Sequence, residues 1–65
     1  ANAYQYIEVV GTSTNSLEDA IKAALDSVSK TNKISWFEVT ATRGRLVDDG
    51  SPEYQVTVKC GVLPA

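Results

Sequence analysis

Apolar and polar residues alternate along most of this chain, and the places where the rhythm changes mark its elements. Residues 3–10, Ala-Tyr-Gln-Tyr-Ile-Glu-Val-Val, are rich in β-branched and aromatic types and predict a first strand. Gly11-Thr12-Ser13-Thr14-Asn15 reads as a turn. From Ser16 the period lengthens: Leu17, Ala20, Ile21, Ala24, Leu25 and Val28 recur at helical spacing and make one apolar stripe. Ser16 with Asp19 three residues later is a capping signal, and Glu18 and Asp19 fall where the helix dipole favours anions. The helix should end near Lys30, before Thr31-Asn32-Lys33. Residues 34–47 and 53–62 read as two further strands. Asp48-Asp49-Gly50-Ser51-Pro52 joins them, Asp-Gly being a strong hairpin signal. The prediction is a single α+β domain over residues 1–65, ordered β-α-β-β, with a three-stranded antiparallel sheet packed on one helix.

Side chains of a strand alternate between its faces, so parity sorts them. In the third strand Tyr54, Val56, Val58, Cys60 and Val62 form the face expected to meet the helix, against Glu53, Gln55, Thr57 and Lys59. In the second, Phe37, Val39 and Ala41 look like core, against Ile34, Trp36, Glu38, Thr40 and Thr42. In the first, Ile7 and Val9 are expected inside, against Tyr4, Tyr6, Glu8 and Val10. The only tryptophan therefore falls on the polar side, with Gln55. Two readings stand. Trp36 anchors a subunit interface, as large aromatics do. Alternatively, it stacks a planar heterocycle whose polar edge meets a neighbouring amide.

Composition changes this picture in one direction. With 65 residues, 43% of them apolar, the chain is near the lower limit for an independent core. One cysteine makes no internal disulfide, and without histidine the usual Cys/His zinc sites are excluded. Oligomerisation is the remaining device. The lack of histidine also excludes Ser-His and Cys-His nucleophiles. The net charge of −2 argues against nucleic acid as the partner. No apolar stretch approaches the ~20 residues of a membrane-spanning helix. A free thiol fits a reducing compartment, and a cytoplasmic location is expected.

Other groupings carry less. Glu8, Glu38 and Glu53 are expected to pair with Arg43, Arg45 or Lys59 rather than to gather a metal. Asp48-Asp49-Gly50 is a turn lacking the further ligands of a calcium loop, and Gly11-Thr12-Ser13 lacks the Lys-Ser/Thr ending of a phosphate loop. Cys60 is expected to be a small core residue.

Taken in order, Val9-Val10-Gly11-Thr12-Ser13, the Ala-rich helix to Lys30, Trp36-Phe37-Glu38-Val39, Arg43-Gly44-Arg45 and Glu53-Tyr54-Gln55-Val56-Thr57-Val58-Lys59 resemble the dodecin family of small flavin-binding proteins. The resemblance covers about Tyr4 to Gly61. It implies a hollow shell of twelve subunits with flavins at two-fold contacts. It implies that Trp36 stacks on the isoalloxazine, Gln55 hydrogen-bonds its polar edge, and Arg45 lies near the pocket. Arg45 has inward parity in a regular strand, so an irregularity is expected near Gly44, where glycine permits a bulge. The ending Val62-Leu63-Pro64-Ala65 departs from relatives that carry an aromatic and a basic residue there. The expected ligands are FMN or riboflavin, with coenzyme A or ions in an alternative, purely structural shell. The expected role is non-enzymatic: storage and photochemical quenching of flavins.

Overall fold

The computed structural model describes residues 3–63. Four elements run in the order strand β1 (Gln5–Ser13), helix α1 (Leu17–Ser29), strand β2 (Ile34–Leu46) and strand β3 (Pro52–Val62). β3 lies between the other two strands and pairs antiparallel with both.

Local chemistry sets the boundaries. Ser16 caps α1 in an extended conformation, its Oγ accepting the Asp19 N–H at 3.0 Å. At the other end, the N–H groups of Thr31 and Asn32 both return to the Val28 carbonyl and close the helix. The β2–β3 hairpin turns over Val47–Gly50. The Gly50 N–H donates to the Val47 carbonyl at 2.8 Å, and Gly50 takes a φ of +85°. A side chain there would be strained. Asp49 steadies the turn by accepting from the Ser51 N–H and hydroxyl, and these hydrogen bonds hold its carboxyl below the usual range.

The first strand runs three residues further than the sequence pattern predicts. Gly11, Thr12 and Ser13 belong to β1, paired with Val56, Gln55 and Tyr54, and the turn is confined to Thr14 and Asn15. Gly11 is a strand residue because α1 crosses directly over it. A Cβ at Gly11 would collide with Ala20 and Ala24 of the helix. Close backbone approach is the physical reason for a glycine inside a strand.

The core is one layer between α1 and the sheet: Ala20, Ala24 and Val28 from the helix, and Val56, Val58, Cys60 and Val62 from β3. Ile7, Val9, Ile34 and Tyr54 pack half-buried around it. All of these except Ile34 match the parity expected for them. Phe37 and Val39 correct it. They do share the helix side of the sheet, opposite Cys60 and Val58, but are 49% and 38% exposed. The cause is placement: α1 lies over β1 and β3 and scarcely touches β2.

The irregularity expected near Gly44 is also elsewhere. β2 shifts register between Ile34 and Trp36 and again between Val39 and Ala41, so that Ser35 and Thr40 are the extra residues. Around Gly44 the pairing is regular. Each bulge reverses the alternation. Ile34 and Thr42, expected on the polar side, therefore stand opposite Val62 and Val56 on the helix side, and Ala41, expected in the core, stands opposite Thr57 on the face away from the helix.

Candidate functional site

The face of the sheet away from the helix carries every candidate residue, and the register shows how they are ordered. Rows of residues cross β1, β3 and β2 in turn: Tyr6, Gly61 and Trp36; then Glu8, Lys59 and Glu38; then Val10, Thr57 and Ala41; then Thr12, Gln55 and Arg43; and at the end Glu53 beside Arg45. Adjacent residues in a row share a face and are near neighbours.

Trp36 stands where parity places it. Its indole is 36% exposed. Tyr6 lies 5.4 Å away between ring centroids at an interplanar angle of 85°, and Tyr4 lies 6.5 Å away at 67°. Both are edge-to-face arrangements, that of Tyr6 nearly perpendicular, which the ring quadrupoles favour. Lys59 places its ammonium 4.8 Å from the Tyr6 ring centroid, a cation–π contact at the edge of the aromatic group.

Gln55 and Arg45 are brought together through Glu53. Arg45 Nε donates to Glu53 Oε1 at 2.8 Å, and Gln55 Nε2 donates to the same oxygen at 3.2 Å. The Arg45–Glu53 contact is the one ion pair among the described residues. Hydrogen bonding from Arg45, and secondarily from Gln55, holds the Glu53 carboxyl below its ordinary range, and the same partner raises the Arg45 guanidinium. Arg45 shares the side of Gln55, as the resemblance requires. The bulge that aims it is at Thr40, four residues before the expected place. The Thr40 hydroxyl donates to the Thr57 backbone carbonyl at 3.3 Å and lies 3.5 Å from Glu8 Oε2.

The chain does not bring Trp36 and Gln55 together. Trp36 is opposite Gly61, six residues from Gln55 along β3. At ~3.4 Å per residue that is roughly 20 Å. Sequence parity identifies a shared face but leaves distance along the strand out of account. Arg43 is the residue that parity missed. Counted across a regular strand it faces the helix; after the Thr40 bulge it lies directly opposite Gln55. Unlike Arg45, it makes no ion pair among the described residues.

The carboxylates behave in part as expected. Glu53 takes Arg45, whereas Glu8 and Glu38 flank Lys59 in register without an ion-pair contact. No group of three or more metal-ligating side chains occurs among the described residues. Cys60 is buried in the core, and burial pushes its thiol pKa up. Of the tail, Val62 is buried and Leu63 donates its N–H to the Lys33 carbonyl at 3.0 Å, while Pro64 and Ala65 lie outside the described residues. No helix among the described residues is long and apolar enough to cross a membrane.

Comparison with known proteins points one way. The family model described as Dodecin matches residues 3–62. A dodecin of Thermus thermophilus is 46% identical over 59 residues, covering 89% of this chain and 86% of that protein. A crystal structure of a T. thermophilus dodecin variant superposes with a TM-score of 0.87 at 42% identity, covering 100% of this chain and 98% of the other. Dodecin from Streptomyces coelicolor gives 0.85 at 38% identity, over 98% and 94% of the two chains. A Mycobacterium tuberculosis protein described as a calcium dodecin shares the fold at 20% identity, with a TM-score of 0.87 over 97% and 91%.

Proposed function

This chain belongs to the dodecin family, and from that premise we propose that it is a flavin-binding storage protein, holding FMN or riboflavin non-covalently against Trp36 at contacts between subunits of a dodecameric shell. The observation that carries this reading is the partly exposed indole on the uncovered face of the sheet. An indole in van der Waals contact with an isoalloxazine is placed to quench its excited state by electron transfer. Enclosure between subunits limits access of oxygen to the ring. The flavin supplies the photochemistry and the protein supplies position.

The separation of Trp36 and Gln55 supports a shared site. One ring system does not span ~20 Å of strand. A flavin that stacks on Trp36 and offers its polar edge to Gln55 takes them from two copies of the chain. A pocket at a subunit contact also fits a monomer with apolar side chains exposed on both sides of its sheet. Around Gln55, the cation available for a phosphate is Arg43, because Glu53 already engages Arg45. We assign Gln55 the amide contact, Arg43 the anion contact, and Arg45 the role of holding Glu53 and thereby Gln55 in place. A cytoplasmic location goes with this reading.

In the pairs of flavins that the family resemblance implies at each two-fold contact, a ring held between Trp36 and a second flavin has no open face for a substrate, so the proposed role is not enzymatic. Calcium, which the M. tuberculosis protein is described as chelating, is not part of this reading; within one chain no three metal-ligating side chains gather among the described residues.

The test is a titration of riboflavin and of FMN into the unliganded protein, tracking flavin and tryptophan emission, with Trp36→Ala as control. Mutual quenching at micromolar concentrations that vanishes in the variant is expected. Absence of binding by both flavins would overturn the reading in favour of a structural shell holding coenzyme A or ions.

A further inference from the structure

Gly61 is the central residue of the row that holds the aromatic group, with Tyr6 on one side and Trp36 on the other. It sits inside the central strand, where glycine has neither a turn nor a positive φ to serve. The place of its side chain is taken by the indole. A Cβ at Gly61 would overlap Cε2 of Trp36, a carbon shared by the two rings, and the Nε1 and Cζ2 bonded to it. Trp36 thus lies across the backbone of β3, with Tyr6 perpendicular to it at 5.4 Å.

We propose that Gly61 is a positioning residue for the stacking ring: by having no side chain it seats the indole of Trp36 against β3, and so sets the plane that a flat heterocycle meets. The reason is steric. A tryptophan on an open sheet face has several staggered χ1 wells, and an unconstrained ring would divide its time among them. Gly61 opens one resting place, and Tyr6 closes it from the side. Stacking affinity depends on the presented face being there before the ligand arrives, since ordering a side chain on binding costs affinity. The identity of the ligand, a flavin, rests on the reading given above; the seating of the ring does not.

The variant Gly61→Ala tests this, with Trp36→Ala and the double variant beside it. In Gly61→Ala the indole has to leave its place. Its emission should shift to the red, and the near-ultraviolet dichroism from Trp36 beside Tyr6 should fall, with far-ultraviolet dichroism unchanged. Riboflavin should bind at least tenfold more weakly than to the natural protein. In the double variant, alanine at 61 meets no ring, so its thermal midpoint should equal that of Trp36→Ala alone. Natural emission and natural riboflavin affinity in Gly61→Ala would overturn the proposal. So would a double variant that falls below Trp36→Ala by as much as Gly61→Ala falls below the natural protein, which would mean that Gly61 serves the strand and not the ring. Where Gly61→Ala fails to fold, recovery of a folded double variant supports the seat, and failure of both overturns it. Should the natural protein bind neither flavin, the emission and midpoint comparisons still decide the seat while the flavin reading falls.

Discussion

Glu53 is the carboxylate through which two of the candidate residues are held. Arg45 and Gln55 both donate to its Oε1, and these hydrogen bonds lower its pKa. A carboxyl with a depressed folded-state pKa adds stability that is complete above its ordinary value, about 4.3, and is lost as the pH falls through the lower folded value. The difference in stability between the natural protein and Glu53→Gln should therefore be constant from neutral pH to about 5 and shrink on further acidification, as chemical denaturation at several pH values would show. The effect is small, because Arg45 is 65% exposed and solvent screens the pair. Cys60 gives a second residue-scale expectation. Its thiol is buried and its pKa raised, so a disulfide reagent at pH 8 should label it only as fast as the protein opens. Labelling of the native protein at the rate of the denatured chain would contradict that burial.

Among the elements, β1 and α1 are joined by a contact that permits no side chain. Gly11→Ala should push Ala20 and Ala24 off the strand at a cost of about 1–3 kcal/mol. Ser16→Ala, which leaves the Asp19 N–H without its acceptor, should cost about 1 kcal/mol. Denaturant midpoints of the two variants check both values. The sequence makes α1 and β3 plain because each buries one continuous stripe, and the period of a buried stripe is written in its residues. β2 is harder to read. Trp36 is legible because Trp36 to Val39 pair regularly with Gly61 to Val58, so parity holds there. Arg43, Arg45, Thr42 and Ile34 lie beyond a bulge, and a bulge is a property of pairing between strands. Neither Ser35 nor Thr40 announces it by residue type. The exposure of Phe37 and Val39 is hidden for a similar reason: one strand's pattern does not say how far a helix on another part of the sheet reaches.

The molecule is long and thin, 51 × 20 × 14 Å, and among the described residues its apolar core comes to seven buried side chains. Tyr6, Val10, Phe37, Val39 and Leu46 remain exposed along it. A fold this small with this much apolar surface draws stability from association. The thermal midpoint should rise with protein concentration, by mass action. Phe37→Asp, which puts a charge on the flank that α1 leaves open, should yield a smaller species by light scattering. A midpoint independent of concentration, with natural size in the variant, would count against association through that flank. The bulge at Thr40 has a further consequence for anyone recombining such chains. It acts as a frameshift in the alternation of β2, so the aromatic half of the strand and the cationic half are read in different phases. A hybrid that joins residues 34–39 of this chain to the remainder of an unbulged strand keeps every residue type in place, yet presents its indole and its guanidinium groups to opposite sides of the sheet.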